Sequence, residues 1–219
     1  MDLQAIELFD MQPAQLDSFL AIGWFRIQQT IFTTDVLYFN DEAFTPVWLR
    51  VRLRDFVPDK KCKMLQKKNS GFKKEIKKAV VTQEHEALYA SYKESIAFDC
   101  APDLHWLLYG DGTRDVYNTY MINIFERDKL TAVGFFDLGY NSAAGISSVY
   151  NPAYKKYSPG KYLIYEKMLY CKEKKFKYFY PGYFVPGYSM FDYKLEIGKN
   201  ALEYFNSYSK KWFPLIHEK

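Results

Sequence analysis

At 219 residues, with 48% hydrophobic and 26% charged positions, the chain fits one large domain or two small joined ones and is too apolar for disorder. Its three cysteines, Cys62, Cys100 and Cys171, are scattered without a Cys-x-x-Cys pair, which argues against a disulfide framework or a structural zinc site. With no basic-then-apolar leader and no run of about 18 apolar residues, it is expected to be soluble and cytosolic, with no membrane partner.

The net charge of +4 is unevenly placed: residues 60–78 hold nine lysines and one acid, Glu75, a local +8 that leaves −4 on the rest. Such a segment suits either a polyanion partner or a solvated lysine face. The 20 Tyr and 18 Phe, against 4 Trp, are either a compositional bias or a supply of stacking surfaces for nucleotides.

In chain order, residues 13–22 read as a short helix, with Leu16, Phe19 and Leu20 at helical spacing and Gly23 as its stop. Residues 24–27 and 30–33 read as strands, 38–41 as a turn, and 46–53 as a strand closed by Phe56 and Pro58. Residues 60–68 form a candidate helix ending at Asn69-Ser70-Gly71, and 72–81 a strand with a charged face. Thr82 is a candidate N-cap for a helix reaching about Ala97, carrying Leu88, Tyr92 and Ile96. Residues 98–115 look like loop. Strands follow over 116–125, 130–138 and 145–150. Ser158 and Pro159 suit the start of a helix to about Lys174, with Leu163, Lys167 and Tyr170 on one face. Residues 176–180 are the next strand. A soft boundary near residue 82 separates a basic N-terminal α+β region, 1–81, from an 82–219 region, unless both form one compact unit. His85 reads as helix surface, His105 as loop and His217 as tail, so none is expected to bind metal.

The most specific segment is Tyr178–Lys194, Tyr-Phe-Tyr-Pro-Gly-Tyr-Phe-Val-Pro-Gly-Tyr-Ser-Met-Phe-Asp-Tyr-Lys, one helix downstream of Ser158-Pro159-Gly160-Lys161-Tyr162. That order resembles the C-terminal half of the aminoacyl-tRNA–protein transferases, the arginyl and bacterial leucyl enzymes. Further pieces are similar in the same order: Leu16–Trp24; Pro46-Val47 with Leu49-Arg50-Val51; Phe56-Val57-Pro58 before Lys60, Lys63, Lys67, Lys68 and Asn69; Glu84-His85, Leu88-Tyr89 and Tyr92; Leu130–Asp137; and Ser147–Pro152. The resemblance implies an α+β, GNAT-like (acetyltransferase-type) mixed sheet flanked by helices. Three features depart from the family pattern. Residues 35–45 lack the cysteines associated with metal or cluster binding, so no metal and no cofactor beyond the tRNA co-substrate is expected. Met190-Phe191 stands where the family has Lys-Met. The loop between Tyr150 and Ser158 is short.

The activity so implied is transfer of an amino acid, Arg or Leu, from aminoacyl-tRNA to the N-terminal amine of an acceptor protein, one starting with Asp or Glu. An α-amine has a pKa of roughly 8, so a strong base is not required, and orientation with oxyanion stabilisation should dominate. Lys60, Lys63, Lys67 and Lys68 would contact tRNA phosphates. Asp137 and Tyr193 are the catalytic candidates. Tyr183, Tyr188 and Tyr193 either line an aminoacyl pocket or stack the terminal adenine, or else are ordinary packing. Lys194 meets phosphate, an acidic acceptor residue, or a surface partner. Asp137 and Asp192 recognise a cationic aminoacyl group or accept a proton, unless Asp137 simply belongs to a strand-end turn. Ser158 and Gly160 shape a helix N-terminus for a polar ligand, or simply cap it. Two rivals stand beside this reading: a GNAT-fold acyltransferase using acetyl-CoA, disfavoured by the single Gly and the Pro in Lys155–Gly160, and a non-catalytic RNA-binding protein.

Overall fold

The computed structural model of the chain describes residues 3–39, 41–98 and 100–215; His217 and Asn40 lie outside them. Thirteen strands and six α-helices are described. In order they are β1 (Gln4–Glu7), α1 (Pro13–Ala21), β2 (Phe25–Ile27), β3 (Thr30–Thr33), β4 (Leu37–Phe39), β5 (Glu42–Phe44), β6 (Val47–Arg52), α2 (Lys60–Lys68), β7 (Lys73–Lys78), α3 (Gln83–Lys93) and α4 (Leu104–Tyr109). Then come β8 (Thr119–Glu126), β9 (Lys129–Leu138), β10 (Ser142–Tyr150), α5 (Pro159–Glu173), β11 (Tyr178–Phe184), α6 (Tyr193–Glu196), β12 (Leu202–Asn206) and β13 (Lys211–Pro214).

Eight strands form one mixed sheet in the order β13-β12-β6-β11-β10-β9-β8-β7, antiparallel except for β10 with β11. β6 sits between β11 and β12, and β7 forms the far edge, so residues on both sides of position 82 share this sheet. Flanked by helices on both faces, it is the α+β, GNAT-like architecture that the resemblance implies.

Period-two alternation assigns the faces. On β8 and β9, Ile122 and Phe136 join the core under α5, with Leu163, Tyr165 and Met168. Their neighbours Met121, Val133 and Phe135 pack on the other side with Leu88 and Tyr89 of α3 and Leu104 and Leu108 of α4. The same opposite side carries α1 and the small β1-β3-β2 sheet, which close over Trp48, Ala144, Tyr180 and Phe205. β9 is buried at every position after Lys129, as a central strand covered on both faces must be.

Within the stretch that reads as loop, Leu104–Tyr109 forms α4. α4 is capped by Asp103, whose carboxylate accepts from the Trp106 amide at 2.7 Å, while Glu86 of α3 accepts from the Leu104 and His105 amides at 2.9 Å each. His105 is therefore exposed on a helix. His85 is buried instead of on a helix surface: the Thr82 amide donates to its Nδ1 at 3.1 Å, which leaves Nε2–H to donate to Asn123 Oδ1 at 3.2 Å. A third-position histidine that reaches back to the N-cap amide turns inward, toward β8.

Candidate active-site cleft

β10 and β11 pair only from Ser142–Ala144 against Tyr178–Tyr180. Beyond that point β10 slips register against β9 between Gly145 and Ser147, and β11 slips against β6 between Phe179 and Gly182. Such irregularities bend strands. Here the two parallel strands part, and a cavity of about 570 Å³ opens between them. Because the gap interrupts the sheet, both faces supply its walls: Tyr89 and Tyr92 from α3, Lys161, Ile164 and Lys167 from α5, and Tyr193 and Lys194 from α6.

Four lysines line the cavity, Lys155, Lys161, Lys167 and Lys194, and among the described residues no Asp or Glu does. Two of them are desolvated. Lys167 is 1% exposed, and its Nζ donates to the Ser147 carbonyl at 2.7 Å and to Ser148 Oγ at 3.1 Å, both on the bent part of β10. Burial lowers its ammonium to about 7. Lys194 Nζ donates to the Tyr183 carbonyl at 2.9 Å and lies 5.1 Å from the ring centres of Tyr183 and Phe191. Burial lowers it to about 8. Neither has a carboxylate partner among the described residues, and an ammonium held so is costly unless something else supplies the missing charge.

Each of these amines lies over a glycine. A methyl at Gly134 of β9 would come 2.7 Å from Lys167 Cε, and one at Gly182 of β11, where φ is +92°, would come 3.2 Å from Lys194 Nζ. The missing side chains make the room that the lysines occupy.

Of the residues expected from the sequence, Tyr193, Lys194, Ser158 and Gly160 come together on the cavity wall. Burial pushes the Tyr193 phenol up to about 12, so it is a hydrogen-bond donor at neutral pH. Ser158 occupies the N-cap of α5, yet its side chain makes no cap bond, because its left-handed backbone (φ 53°, ψ 52°) turns the hydroxyl from the helix amides. Gly160 is not forced by packing: a methyl there would meet Tyr150 only at 3.5 Å, an ordinary contact.

The other candidates lie elsewhere. Asp137 is fully buried, with Oδ1 accepting from Arg26 Nη1 at 2.8 Å and Thr119 Oγ1 at 2.7 Å. Burial raises its carboxyl against the opposing pull of Arg26 and Thr119. It fastens β2 to β8 and β9 and does not reach the cavity. Tyr188 stacks on Phe39 at 4.7 Å and packs against Phe44 and Phe191, joining the β4–β5 hairpin to the segment after β11. Tyr183 lies against Trp48 at 5.1 Å and holds Lys194 with both its carbonyl and its ring face. Asp192 is exposed at the start of α6. Lys60, Lys63, Lys67 and Lys68 are all exposed on α2. A smaller hollow of about 240 Å³ links that helix to the cleft, walled by Lys61 and Lys68 on one side and sharing Lys161 and Tyr193 with the main cavity. Lys167 is the functional candidate that sequence reasoning passed over. Its signal was a lysine at the helical spacing of an apolar face.

Among the described residues no three His, Cys, Asp or Glu side chains converge on a point where a metal could sit. No described helix is long and apolar enough to cross a membrane.

A family profile described as arginine-tRNA-protein transferase, C terminus, matches residues 66–203, more than half of the chain. The aspartate/glutamate leucyltransferase of Leptospira interrogans serogroup Icterohaemorrhagiae serovar copenhageni is 31% identical over 154 residues, covering 66% of this chain and 58% of that protein. The protein of the same name from Helicobacter hepaticus is 25% identical over 210 residues, covering 90% and 85%. The chain thus spans less than two thirds of the length of the Leptospira relative. Among solved structures, FemX (TM-score 0.48, 7% identity, 86% of this chain and 65% of that one) and L-PGS from Bacillus licheniformis (0.44, 12%, 63% and 45%) are distant likenesses that add nothing to the assignment.

Proposed function

The chain belongs to the aminoacyl-tRNA–protein transferase family, and we propose that it moves leucine from leucyl-tRNA to the N-terminal amine of a protein beginning with Asp or Glu. The observation that carries this reading is the composition of the cavity wall. Among the described residues of the wall, four lysines and no carboxylate offer an arginyl side chain repulsion and no counter-ion. A leucyl side chain finds Phe98, Leu107, Ile146, Ile164 and Phe179 in the same wall. An acidic acceptor residue finds a desolvated cation, and Lys194, fixed by the Tyr183 carbonyl, is the residue we assign to it.

The chemistry needs little beyond this. The acceptor amine attacks the ester carbonyl of the charged tRNA, and the Tyr193 hydroxyl, kept protonated by its burial, donates to the oxygen on which charge develops. Outside the cleft, Lys60, Lys63, Lys67 and Lys68 would hold the tRNA backbone, and the small hollow beside α2 gives its acceptor end a path past Lys161 and Tyr193. Dependence on charged tRNA assigns the protein to the cytoplasm.

The test is transfer of radiolabelled leucine or arginine, from purified charged tRNA, to peptides beginning with Asp, Glu, Lys or Arg. Leucine on the Asp and Glu peptides is the expected result. Arginine transfer would overturn the donor assignment, and no transfer from either tRNA by folded protein would overturn the reading as a whole.

A further inference from the structure

The attacking amine must lose a proton as the amide forms, and among the described residues of the cavity wall there is no His, Asp or Glu to receive it. The tyrosines near the site are no help: burial raises Tyr89, Tyr92 and Tyr193, which leaves them weak acids holding their own protons at neutral pH. Lys155 and Lys161 are exposed at the mouth and have no fixed place in the packing. Lys167 differs from them in placement. It lies inside the helix–sheet packing with its Cε over Gly134, and two acceptors on β10 fix its Nζ at the cavity wall.

We propose that Lys167 is the proton acceptor of the transfer reaction. This rests on the aminoacyl-transfer reading above. The acceptor's nitrogen forms a bond to the ester carbon, and the carbonyl electron pair moves to oxygen. The adduct's ammonium gives its proton to the neutral Lys167 amine. As the oxyanion re-forms the carbonyl, the ester C–O bond breaks, its electron pair leaves with the ribose oxygen, and that oxygen takes the proton from Lys167. Amine and ester become amide and alcohol, and Lys167 ends as it began.

The two hydrogen bonds to Ser147 and Ser148 use both protons of a neutral amine and leave its lone pair for the incoming proton. Desolvation brings Lys167 to about 7, the range in which a base both exists free and accepts readily. The ionisable groups that act on it are Cys171 on its own helix and Asp137 on β9, both of which favour its protonated form. Lys194, in the same wall, is a like charge when protonated. Neither Cys171 nor Asp137 lines the cavity, so neither competes for the substrate proton.

The experiment is the pH dependence of kcat for the intact protein and for Lys167→Met and Lys167→Arg. Wild type is expected to gain activity with pH through an ionisation near 7, distinct from that of the acceptor amine near ~8. Lys167→Met, close in shape and unable to take a proton, should lose about 100-fold or more in kcat, lose that ionisation, and keep its KM for the acceptor peptide. Lys167→Arg keeps a charge but cannot give up its proton, and should be equally slow. If Lys167→Met stays within threefold of wild type, or Lys167→Arg is active, the assignment is overturned while the transfer reading stands. Should the variants not fold, a carbon-13 lysine titration of wild type decides: a side chain titrating near 7 supports the proposal, and all lysines titrating near 10 overturn it. Absence of any transfer by wild type would remove the parent reading, and this proposal with it.

Discussion

The protein carries lysines in two contrasting settings. The run over residues 60–78 is exposed, and several of its members are paired: Lys61 with Glu196 at 2.9 Å, Lys77 with Glu75 at 2.9 Å, and Lys74 with the buried Glu166. The cavity lysines 167 and 194 are two residues only, yet they are desolvated and have no carboxylate among the described residues. Solvent screens the first set to a diffuse field, useful for long-range attraction to a polyanion and weak at any single contact. Burial gives each member of the second set a large individual effect on whatever enters the cavity. Counting charges finds the first set, and only packing reveals the second.

That contrast orders the expected effects. Lys194→Met should be the most damaging to recognition, lowering kcat/KM for an Asp peptide by roughly 100-fold while changing an Asn peptide much less, as truncating one half of a desolvated charge pair does. Equal losses on both peptides would remove Lys194 from acceptor reading. Gly134→Ala comes next. Its methyl displaces Lys167 Cε, and misplacement on the scale of 1 Å should slow kcat by roughly tenfold or more. An unaffected rate would show that Lys167 has freedom the packing denies it.

The third effect is on stability. Lys167 titrates at about 7 when folded; an unfolded lysine titrates near ~10.4. Between those values the unfolded chain binds the extra proton, so this residue's destabilising contribution is full below about pH 7 and fades as pH rises toward 10. Lys167→Met should therefore be more stable than wild type at pH 7, with the gap closing by pH 9.5, as read from urea midpoints. A gap independent of pH would mean that the folded and unfolded chains bind equal numbers of protons, and that burial leaves the Lys167 amine with an ordinary lysine pKa. The smallest effect belongs to the surface. Lys63→Gln should weaken tRNA binding only a few-fold and reduce the slope of log affinity against log salt by about 1, with kcat at saturating tRNA unchanged.

Much of the frame was legible in the chain. α2 starts and ends where the lysine run and Asn69 indicate, and α5 where Ser158-Pro159 and the apolar spacing do. β8 and β9 follow from long apolar runs around Glu126–Lys129. α4 was hidden because six residues are too few to display a helical period, and its caps come from Asp103 and from Glu86 on another helix. Site residues divided the same way. Tyr193, Lys194 and Ser158 were found through the order of motifs. Asp137 stood in an equally suggestive place, but its partner Arg26 is distant in sequence, and no local pattern predicts that pairing. Tyr188 likewise answers to Phe39 and Phe44 of the early hairpin. Lys167 was visible only as a polar interruption on a helix face, with nothing nearby to say that the opposing strand is bent away from it.

The position of β6 has a consequence for how the molecule comes into being. Val47–Arg52 is made long before its two neighbours in the sheet, Tyr178–Phe184 and Leu202–Asn206, which lie far downstream in the chain. Until they arrive, β6 is an unpaired edge rich in Val, Trp and Leu, a template for wrong pairing. Half of the cleft depends on this closure, since β11 is held away from β10 by its bonds to β6. The high sequence separation of those contacts predicts slow formation of the active site relative to the local β8–β9 hairpin. Nascent chains should therefore gain the hairpin long before they gain a cavity, and should be most prone to aggregation in that interval.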